Sequence, residues 1–315
     1  MPDGLGAPLF EPLFDRVALI GIGLIGSSLA HICRRKGLAR RIVAADASKE
    51  VRTRVAELGF ADEVAPSAAE AVRGADLVVL CAPVGAMGPI AREIGPHLAP
   101  GAIVSDVGSV KVSIVEAVAP HLPASVCFIP GHPVAGTEYS GPDAGFAALF
   151  HNRWIILTPP ADADQKALAR LSAFWTAAGA NVETMTPEHH DLVLAITSHV
   201  PHLIAYNIVG TAADLEAVTQ SEVMKFSAGG FRDFTRIASS DPIMWRDIFL
   251  NNKDAVLEML GRFNEDLTAL QRMIRRGDGD GLSELFTRTR AIRRGIIAQG
   301  QETAEPDFGR RAQEE

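Results

Sequence analysis

Cysteine is scarce in this sequence: the chain of 315 residues contains three, far apart from one another. Cys33, Cys81 and Cys127 form no CxxC pair, which disfavours both a disulfide framework and a zinc site. Free cysteines are typical of a reducing compartment. We therefore expect a cytoplasmic protein without a bound metal.

Positive charge is also in deficit. The chain has 30 Lys and Arg against 38 Asp and Glu, which gives a formal net charge of −8 at pH 7. A chain with this balance has no general positive field that would hold a phosphate backbone. We therefore expect no nucleic-acid partner.

Apolar runs are short and interrupted. The longest, residues 75–91, contains Asp76 and Pro83 and is too broken to span a bilayer as a helix. Residues 1–15 lack the basic start and the apolar core of a secretory signal. We expect no membrane partner.

Short apolar runs alternate with amphipathic stretches through the first half of the chain, which predicts a parallel sheet covered by helices. The predicted strands are Val17–Ile20, Arg41–Ala45, Asp76–Cys81, Ala102–Ser105, Val126–Ile129, Trp154–Leu157 and Asn181–Thr184. The predicted helices between them are Leu24–Lys36, Lys49–Leu58, Val110–Ala119 and Ala163–Ala178. Beyond Pro187 only long helical patterns follow, and the apolar stretch 189–209 predicts a buried helix of the kind found in dimer cores.

A glycine fingerprint lies between the first predicted strand and the first predicted helix. Gly21, Gly23 and Gly26 have the GxGxxG spacing, and an acidic residue, Asp46, closes the next strand about 20 residues further on. Such glycines allow a tight turn and a close approach of the backbone to a pyrophosphate at the helix N-terminus. The helix begins with Leu24 and Ile25, which we also assign to the cofactor site together with Ala82 and Pro83 after the third strand.

Asp46 indicates the type of dinucleotide. A carboxylate accepts hydrogen bonds from the ribose hydroxyls of NAD and repels the 2′-phosphate of NADP. NAD is therefore the expected cofactor. NADP is not excluded, because Lys49 and Arg52 follow closely.

These patterns together predict an α/β fold in which a Rossmann-type doubly wound dinucleotide-binding domain precedes an all-α dimerisation domain. We place the first domain at residues 14–187, the helical domain at 188–300 and a flexible tail at 301–315.

Polar residues cluster in three further stretches, 105–111, 131–141 and 198–202. The first two follow predicted strands, at the edge where open α/β sheets bind their ligands. His132, between Gly131 and Pro133, suits a rigidly held general base, and Ser109 is expected close to it.

With these motifs the sequence resembles the prephenate/arogenate (cyclohexadienyl) dehydrogenase family of tyrosine biosynthesis. The resemblance covers nearly the whole chain, through the segments GIGLIGSSLA, DVGSVK, GHPVAGTEYSG, HHDLVLAITSHVPH and GGFRDFTRIASSDPIMWRDIF. It implies an NAD(P)-dependent oxidative decarboxylation of prephenate or arogenate, with a small-molecule substrate and a homodimer formed through the helical domain.

The resemblance also implies roles for single residues. His132 matches the family's catalytic base and Ser109 the serine beside the substrate hydroxyl, while Arg236 matches the arginine that holds the substrate carboxylate. Supporting positions in the pocket are Arg232, Trp245, His202, Asp191 and Glu138.

Simpler explanations exist for several of these residues. Trp245 fits an apolar helical pattern as a core residue, His202 could be a hydrogen-bonded core histidine, and Arg232 with Arg236 could form a solvated basic patch. We expect His189 and His190 at a helix start, with His190 exposed.

Three alternatives to this function remain open. A 3-hydroxyacid dehydrogenase or an imine reductase has a similar architecture, and a non-catalytic NAD-binding sensor would share the glycine fingerprint. A hydroxyacid dehydrogenase would place a catalytic lysine in the helical domain, and Lys225 and Lys253 lack the glycine-rich setting of such a lysine.

Overall fold

The structure is a computed structural model that describes residues 11–137, 139–219 and 228–298. The chain divides into two units after Lys253. The first unit contains both sheets and the helices that pack on them. The second contains the last two helices of the described chain.

A six-stranded parallel sheet has the strand order β3-β2-β1-β4-β5-β6. Its strands are β1 (Phe14–Ile20), β2 (Ala39–Ala45), β3 (Glu63–Ala65), β4 (Leu77–Leu80), β5 (Ile103–Asp106) and β6 (Cys127–Phe128). The strand order reverses between β1 and β4, so the loops after these strands open onto a single crevice, where such sheets bind dinucleotides. The fold confirms the predicted parallel sheet covered by helices.

Helices cover both faces of this sheet. They are α1 (Leu24–Lys36), α2 (Lys49–Leu58), α3 (Ala68–Ala71), α4 (Val84–Ile94) and α5 (Val112–Val118), with 3₁₀ turns at Gly95–His97 and Ala119–His121. Side chains alternate along β1, so that Val17 and Leu19 join the hydrophobic core on one face while Ala18 and Ile20 join the core on the other. The sheet is therefore buried on both faces.

A second, three-stranded sheet corrects the prediction of one parallel sheet. It consists of β7 (Gly131–Pro133), β8 (Trp154–Leu157) and β9 (Asn181–Thr184), with β7 antiparallel to β8 and β8 parallel to β9. A 3₁₀ turn at Pro142–Ala144 precedes β8, and helix α6 (Gln165–Ala178) joins β8 to β9. Strand β6 is only two residues long, and the chain leaves the large sheet directly after it.

Helix α4 is absent from the sequence prediction because Gly85, Gly88 and Pro89 are typical of turns. A Cβ atom at Gly88 would lie 3.3 Å from the carbonyl oxygen of Ala117, so this glycine lets α4 pack closely against α5. The short elements β3 and α3 are absent from the prediction as well. Gly85 and Gly88 therefore serve the packing of α4 against its neighbours and do not form a turn.

A π turn interrupts the long helix that follows β9. Helix α7 (Pro187–Leu194) passes through the π turn Ala195–His199 into α8 (Val200–Thr219). The N–H of Val200 donates to the carbonyl of Ala195, five residues earlier. Pro201 has no N–H to donate and its ring disfavours a tight preceding turn, which accounts for the wider geometry.

By length and composition alone, the stretch Pro187–Leu215 could span a membrane. Its buried positions include His190, Asp191 and His199, whose side chains hydrogen-bond to the rest of the first unit. That arrangement is typical of the core helix of a globular unit.

Short helical segments complete the described part of the first unit, and two long helices make up the described part of the second. The former are α9 (Gly229–Thr235), a 3₁₀ turn (Arg236–Ser239) and α10 (Pro242–Asn251). The latter are α11 (Lys253–Arg276) and α12 (Gly279–Ala298). Gly277, with φ +66°, ends α11 in the left-handed conformation. The predicted tail at 301–315 lies outside the described residues.

Candidate active site

The glycine loop after β1 has the geometry that its sequence predicts. Gly21 has φ +95°, and a Cβ atom there would lie 2.8 Å from the carbonyl oxygen of Cys81. A Cβ atom at Gly26 would lie 2.2 Å from the carbonyl oxygen of Gly21. Neither position tolerates a larger residue, so two of the three glycines are required by packing alone.

Gly23 differs, because a Cβ atom there would meet nothing within 4 Å. It is the N-cap of α1 and provides no side-chain cap, so the first N–H groups of the helix remain available to an anion. The half-buried Leu24 and Ile25 begin the helix at this point. The open space and the free donors fit the pyrophosphate of a dinucleotide.

Asp46 lies at the end of β2 beside this loop. Its carboxylate accepts hydrogen bonds from the N–H of Ile22 at 2.8 Å and from the N–H of Ser48 at 2.9 Å. The guanidinium of Arg52 donates to the carbonyl oxygens of Asp46 and Ala47 at 2.6 and 2.9 Å. The carboxylate is thus fixed against the glycine loop with further lone pairs to offer a ribose, which fits NAD.

His132 lies on β7, which follows β6 along the chain and begins beside Asp106, the last residue of β5. The N–H of Gly131 donates to Asp106 at 3.2 Å, and a Cβ atom at Gly131 would lie 3.1 Å from the Asp106 carbonyl oxygen. A glycine is therefore needed for the backbone before His132 to reach β5. The imidazole itself is 7% exposed.

His190 is buried against His132, which corrects the prediction that it is exposed. It is 0% exposed, and its Nε2 lies 2.8 Å from Nδ1 of His132. Its Nδ1 lies 2.8 Å from Oδ1 of Asp191. The neighbouring His189 is exposed, as expected at a helix start, and its N–H is capped by the side chain of Thr186 at 3.2 Å.

Asp191 joins this pair to the start of α5. Its two carboxylate oxygens accept hydrogen bonds from the backbone N–H groups of Lys111 and Val112, at 2.7 and 3.0 Å. Its own carbonyl oxygen accepts a hydrogen bond from the side chain of Asn252 at 2.8 Å. Residues far apart in sequence therefore fix this carboxylate.

A buried ion pair lies beneath the two histidines. Lys111 and Asp106 are both fully buried and pair through Nζ and Oδ2. Lys111 Nζ also donates to the carbonyl oxygen of Gly131 at 2.6 Å, while Asp106 accepts from the N–H of Gly108 at 2.8 Å. Every charge of the pair thus has several partners, as a buried pair requires.

These neighbours act on the protonation of the histidines. Burial lowers the pKa of His132 well below 6.5, and His190, Lys111 and His199 lower it further. Burial also lowers the pKa of His190, although its hydrogen bond to Asp191 opposes this. Both rings are therefore neutral at neutral pH.

A second group of rings lies on α8 and α10. His202 stacks on Trp245 with ring centroids 3.6 Å apart, and its Nδ1 donates to the carbonyl oxygen of Ser198 at 2.8 Å. Arg236 is close enough for its charge to lower the pKa of His202, after the larger effect of burial. His202 and Arg236, both assigned to the substrate pocket by the resemblance, therefore lie near each other. Trp245 is also a core residue, 6% exposed.

Asn252 connects the two groups of rings. Its side-chain amide reaches Nδ1 of His199 at 3.1 Å as well as the backbone of Asp191. His199 is fully buried, and burial lowers its pKa to about 4. The backbone of Ser109, in the loop after β5, contacts the same ring. Ser109 is thus placed at the junction of the two groups.

The remaining predicted residues are more peripheral in the described chain. Arg232 is exposed on α9, Ala82 is half-buried and Pro83 is the exposed N-cap of α4. Among the residues that the structure describes, no hydrogen bond joins Arg232 to those around His132. Glu138 lies outside the described residues.

Two family models together match most of the chain. The nucleotide-binding domain of prephenate dehydrogenase matches residues 29–184, and the dimerization domain of prephenate dehydrogenase matches residues 186–288. The chain belongs to the prephenate dehydrogenase family.

Several relatives cover most of the chain. A cyclohexadienyl dehydrogenase of Zymomonas mobilis is 43% identical over 281 residues, which is 89% of this chain and 96% of that protein. The prephenate dehydrogenase of Aquifex aeolicus, solved in complex with hydroxyphenyl propionate and NAD+, is 36% identical, covers 90% of this chain and 98% of its own, and has a TM-score of 0.83. An arogenate dehydrogenase from Synechocystis is 28% identical, covers 89% of this chain and 99% of its own, and has a TM-score of 0.76.

Membership of the prephenate dehydrogenase family makes the chain an oxidoreductase with a nucleotide-binding domain for NAD, a dimerisation domain and a small-molecule substrate. Its reaction is the NAD-dependent oxidative decarboxylation of prephenate or arogenate in tyrosine biosynthesis. The hydroxyacid dehydrogenase, imine reductase and sensor alternatives are not retained.

Sequence reasoning missed Lys111, Asp106, Asn252 and the burial of His190. Lys111 belongs to the polar stretch after a predicted strand, which indicates a site residue. A lysine is usually exposed to solvent, however, so the sequence does not predict its burial. No local pattern marks Asn252, because its partners lie 53 and 61 residues away.

Proposed function

We propose that this enzyme accepts both prephenate and arogenate, and that His132 is its general base. The two substrates differ in a side-chain keto or amino group that is remote from the reacting ring carbon. The first point is supported by the likeness to a cyclohexadienyl dehydrogenase as well as to dehydrogenases of each single substrate. The second is carried by one observation: the buried His132 directly follows Gly131, whose N–H donates to Asp106 at the carboxyl end of β5 in the dinucleotide-binding sheet.

The chemistry needs one base. NAD, when bound, accepts the hydride from the ring carbon that bears the hydroxyl group. His132 takes the hydroxyl proton, so that this carbon becomes a carbonyl carbon instead of a cation. The ring carboxylate then leaves as CO2, and the electron pair of the broken C–C bond makes the ring aromatic. His132 returns its proton to the resulting phenolate oxygen, which balances the reaction.

Other side chains would orient the substrate. We assign Arg236 to a substrate carboxylate, because a guanidinium gives a planar, paired contact, and Ser109 to the reacting hydroxyl. His202, Trp245, Arg232 and Glu138 complete the proposed pocket. Gly21, Gly23, Leu24, Ile25, Gly26, Asp46, Ala82 and Pro83 form the proposed cofactor site.

We also propose a cytoplasmic homodimer. Large apolar side chains on the second unit are exposed in the single chain, among them Leu257, Ile274 and Phe286. Such a surface fits burial against a second copy. Free Cys33, Cys81 and Cys127 fit a reducing compartment. The proposed domains remain residues 14–187, 188–300 and 301–315.

Absorbance of NADH tests the proposal with purified enzyme, NAD or NADP, and either prephenate or arogenate. We expect reduction of NAD with both substrates. The His132→Asn variant should lose about 10²-fold or more in kcat while it still binds NAD. His151→Asn, at an exposed position, is the matched control. Reaction with one substrate only would overturn the proposed breadth, and full activity of His132→Asn would overturn the proposed base.

A further inference from the structure

Three side chains form a line of hydrogen bonds that ends at the proposed base. His132 Nδ1 lies 2.8 Å from His190 Nε2, and His190 Nδ1 lies 2.8 Å from Asp191 Oδ1. The three residues are 7%, 0% and 4% exposed. Water therefore does not compete for these bonds, and each ring nitrogen in the line has a single partner.

The direction of each hydrogen bond follows from the acid at the end of the line. An ionised carboxylate only accepts, so Nδ1 of His190 must carry the hydrogen. His190 is neutral, because burial lowers its pKa, and its Nε2 therefore has a lone pair. Nδ1 of His132 must then donate to that lone pair, which leaves Nε2 of His132 without a hydrogen.

The backbone at the start of α5 fixes the carboxylate of Asp191. The N–H groups of Lys111 and Val112 donate to its two carboxylate oxygens, so both oxygens act as acceptors. The charged and titratable groups that surround the two rings are Lys111, Asp106, Asp191 and His199. Asp106 neutralises the cation of Lys111 through a direct bond, which leaves Asp191 as the anion in contact with the ring of His190.

We propose that His190 and Asp191 are positioning residues that hold His132 in its Nδ1–H tautomer and so reserve its Nε2 for the substrate proton. Nε2 has no hydrogen-bond partner among the described residues, and is the nitrogen left to face a ligand. This inference rests on the proposed role of His132 as base. After His132 takes a proton, its Nδ1–H bond to His190 persists, and the anion of Asp191 stabilises the imidazolium through His190.

Two substitutions at one position separate positioning from simple packing. Glutamine in His190→Gln places a carbonyl oxygen near the former Nε2 and can still accept from His132, although it loses the contact with Asp191. Asparagine in His190→Asn can still bond to Asp191 but does not reach His132. A merely structural His190 would give similar kinetics for both variants.

We expect kcat to fall by roughly 10²-fold or more in His190→Asn, as for a base in the wrong tautomer, and by only about tenfold in His190→Gln. The KM values should change little in either variant. His189→Gln, at the exposed neighbour, is the matched control and should leave kcat unchanged. Circular dichroism reports whether each variant is folded.

The tautomers of the full-length wild-type enzyme are measurable without turnover. In a long-range ¹H–¹⁵N spectrum of ¹⁵N-histidine-labelled protein, with and without NAD, both His132 and His190 should carry their hydrogen on Nδ1. The two signals are assigned from their loss in His132→Gln and His190→Gln. Nε2–H on His132, or equal kcat in His190→Asn and His190→Gln, would overturn the proposal. Absence of any dehydrogenase activity would instead refute the proposed function, because the spectrum does not depend on it.

Discussion

The imidazole of His202 lies flat on the indole of Trp245, with ring centroids 3.6 Å apart and ring planes 23° from parallel. A hydrogen bond from Nδ1 to the carbonyl oxygen of Ser198, 2.8 Å long, fixes the ring in that position. Because both contacts use one face and one nitrogen, Nε2 remains available to a ligand in the proposed pocket.

Substitution of His202 should therefore weaken substrate binding more than it slows chemistry. We expect His202→Ala to raise KM about tenfold or more, since a hydrogen bond to a charged ligand contributes about 1.5–3 kcal/mol, with little change in kcat. Steady-state kinetics measures both values. His202→Phe keeps the stack without the nitrogen, and a normal KM in that variant would refute the role of Nε2.

The buried ion pair of Lys111 and Asp106 predicts a large loss of stability when one partner is removed. Lys111→Met leaves a carboxylate in the protein interior without its cation, which costs about 3–5 kcal/mol of the free energy of unfolding. Urea denaturation followed by circular dichroism measures it. The double variant Lys111→Met/Asp106→Asn should recover part of the loss, whereas Lys166→Met, at an exposed lysine, should unfold like wild type.

The pH dependence of kcat/KM should follow the unusual environment of His132. The base must be neutral in the free enzyme, and burial lowers its pKa well below 6.5. Activity should therefore stay constant as pH falls to 6.5 and decline only at lower pH, as His132 takes up a proton. A kcat/KM profile between pH 4.5 and 8, run in a buffer that keeps the enzyme folded, would contradict this if its acid limb were centred at or above 6.5.

Stability should also decrease on the acid side. His132, His190 and His199 have lowered pKa values in the fold, so the unfolded chain binds protons more readily just below 6.5. The free energy of unfolding should then fall with pH by up to roughly 1.4 kcal/mol per pH unit for each of these histidines. Denaturation curves at a series of pH values give the slope. His199→Gln should reduce the slope of the free energy of unfolding against pH, and His189→Gln should leave that slope unchanged.

The cofactor preference should depend on Asp46. Its carboxylate is fixed beside the glycine loop by Ile22 and Ser48, while Arg52 lies against the same turn. Asp46→Asn removes the charge that repels a 2′-phosphate, so the ratio of kcat/KM for NAD to that for NADP should fall about tenfold or more. Glu57→Gln, on the exposed side of α2, is the control. An unchanged ratio would place the selectivity elsewhere.

Local features of the fold were predictable from the sequence because their causes are local. Helices α1 and α2 have the predicted bounds, since each begins and ends at residues that favour those positions, such as the cap Ser48 and the left-handed Gly37 and Gly59. Helix α4 was missed because Gly88 serves its contact with Ala117 and not a turn.

The site was only partly predictable for the same reason. His132 stood out through its polar, glycine-flanked setting after a strand, and the resemblance named it as well. His190 has no comparable sequence feature, because it directly follows the exposed His189. Its burial depends on His132, which is 58 residues away in sequence. A helical pattern alone does not show which of two adjacent histidines faces the interior.

The π turn at Ala195–His199 sets the rotational phase of the helix that carries most of these rings. In an unbroken α-helix, the nine residues from His190 to His199 would rotate the second ring by about 900°, to the opposite side of the helix. The π turn has a smaller rotation per residue. The side chain of Asn252 therefore contacts both the ring of His199 and the backbone carbonyl of Asp191. Deletion of Ile196 from this turn would keep every histidine of the site, yet it would rotate His199 and His202 away from their positions relative to His190.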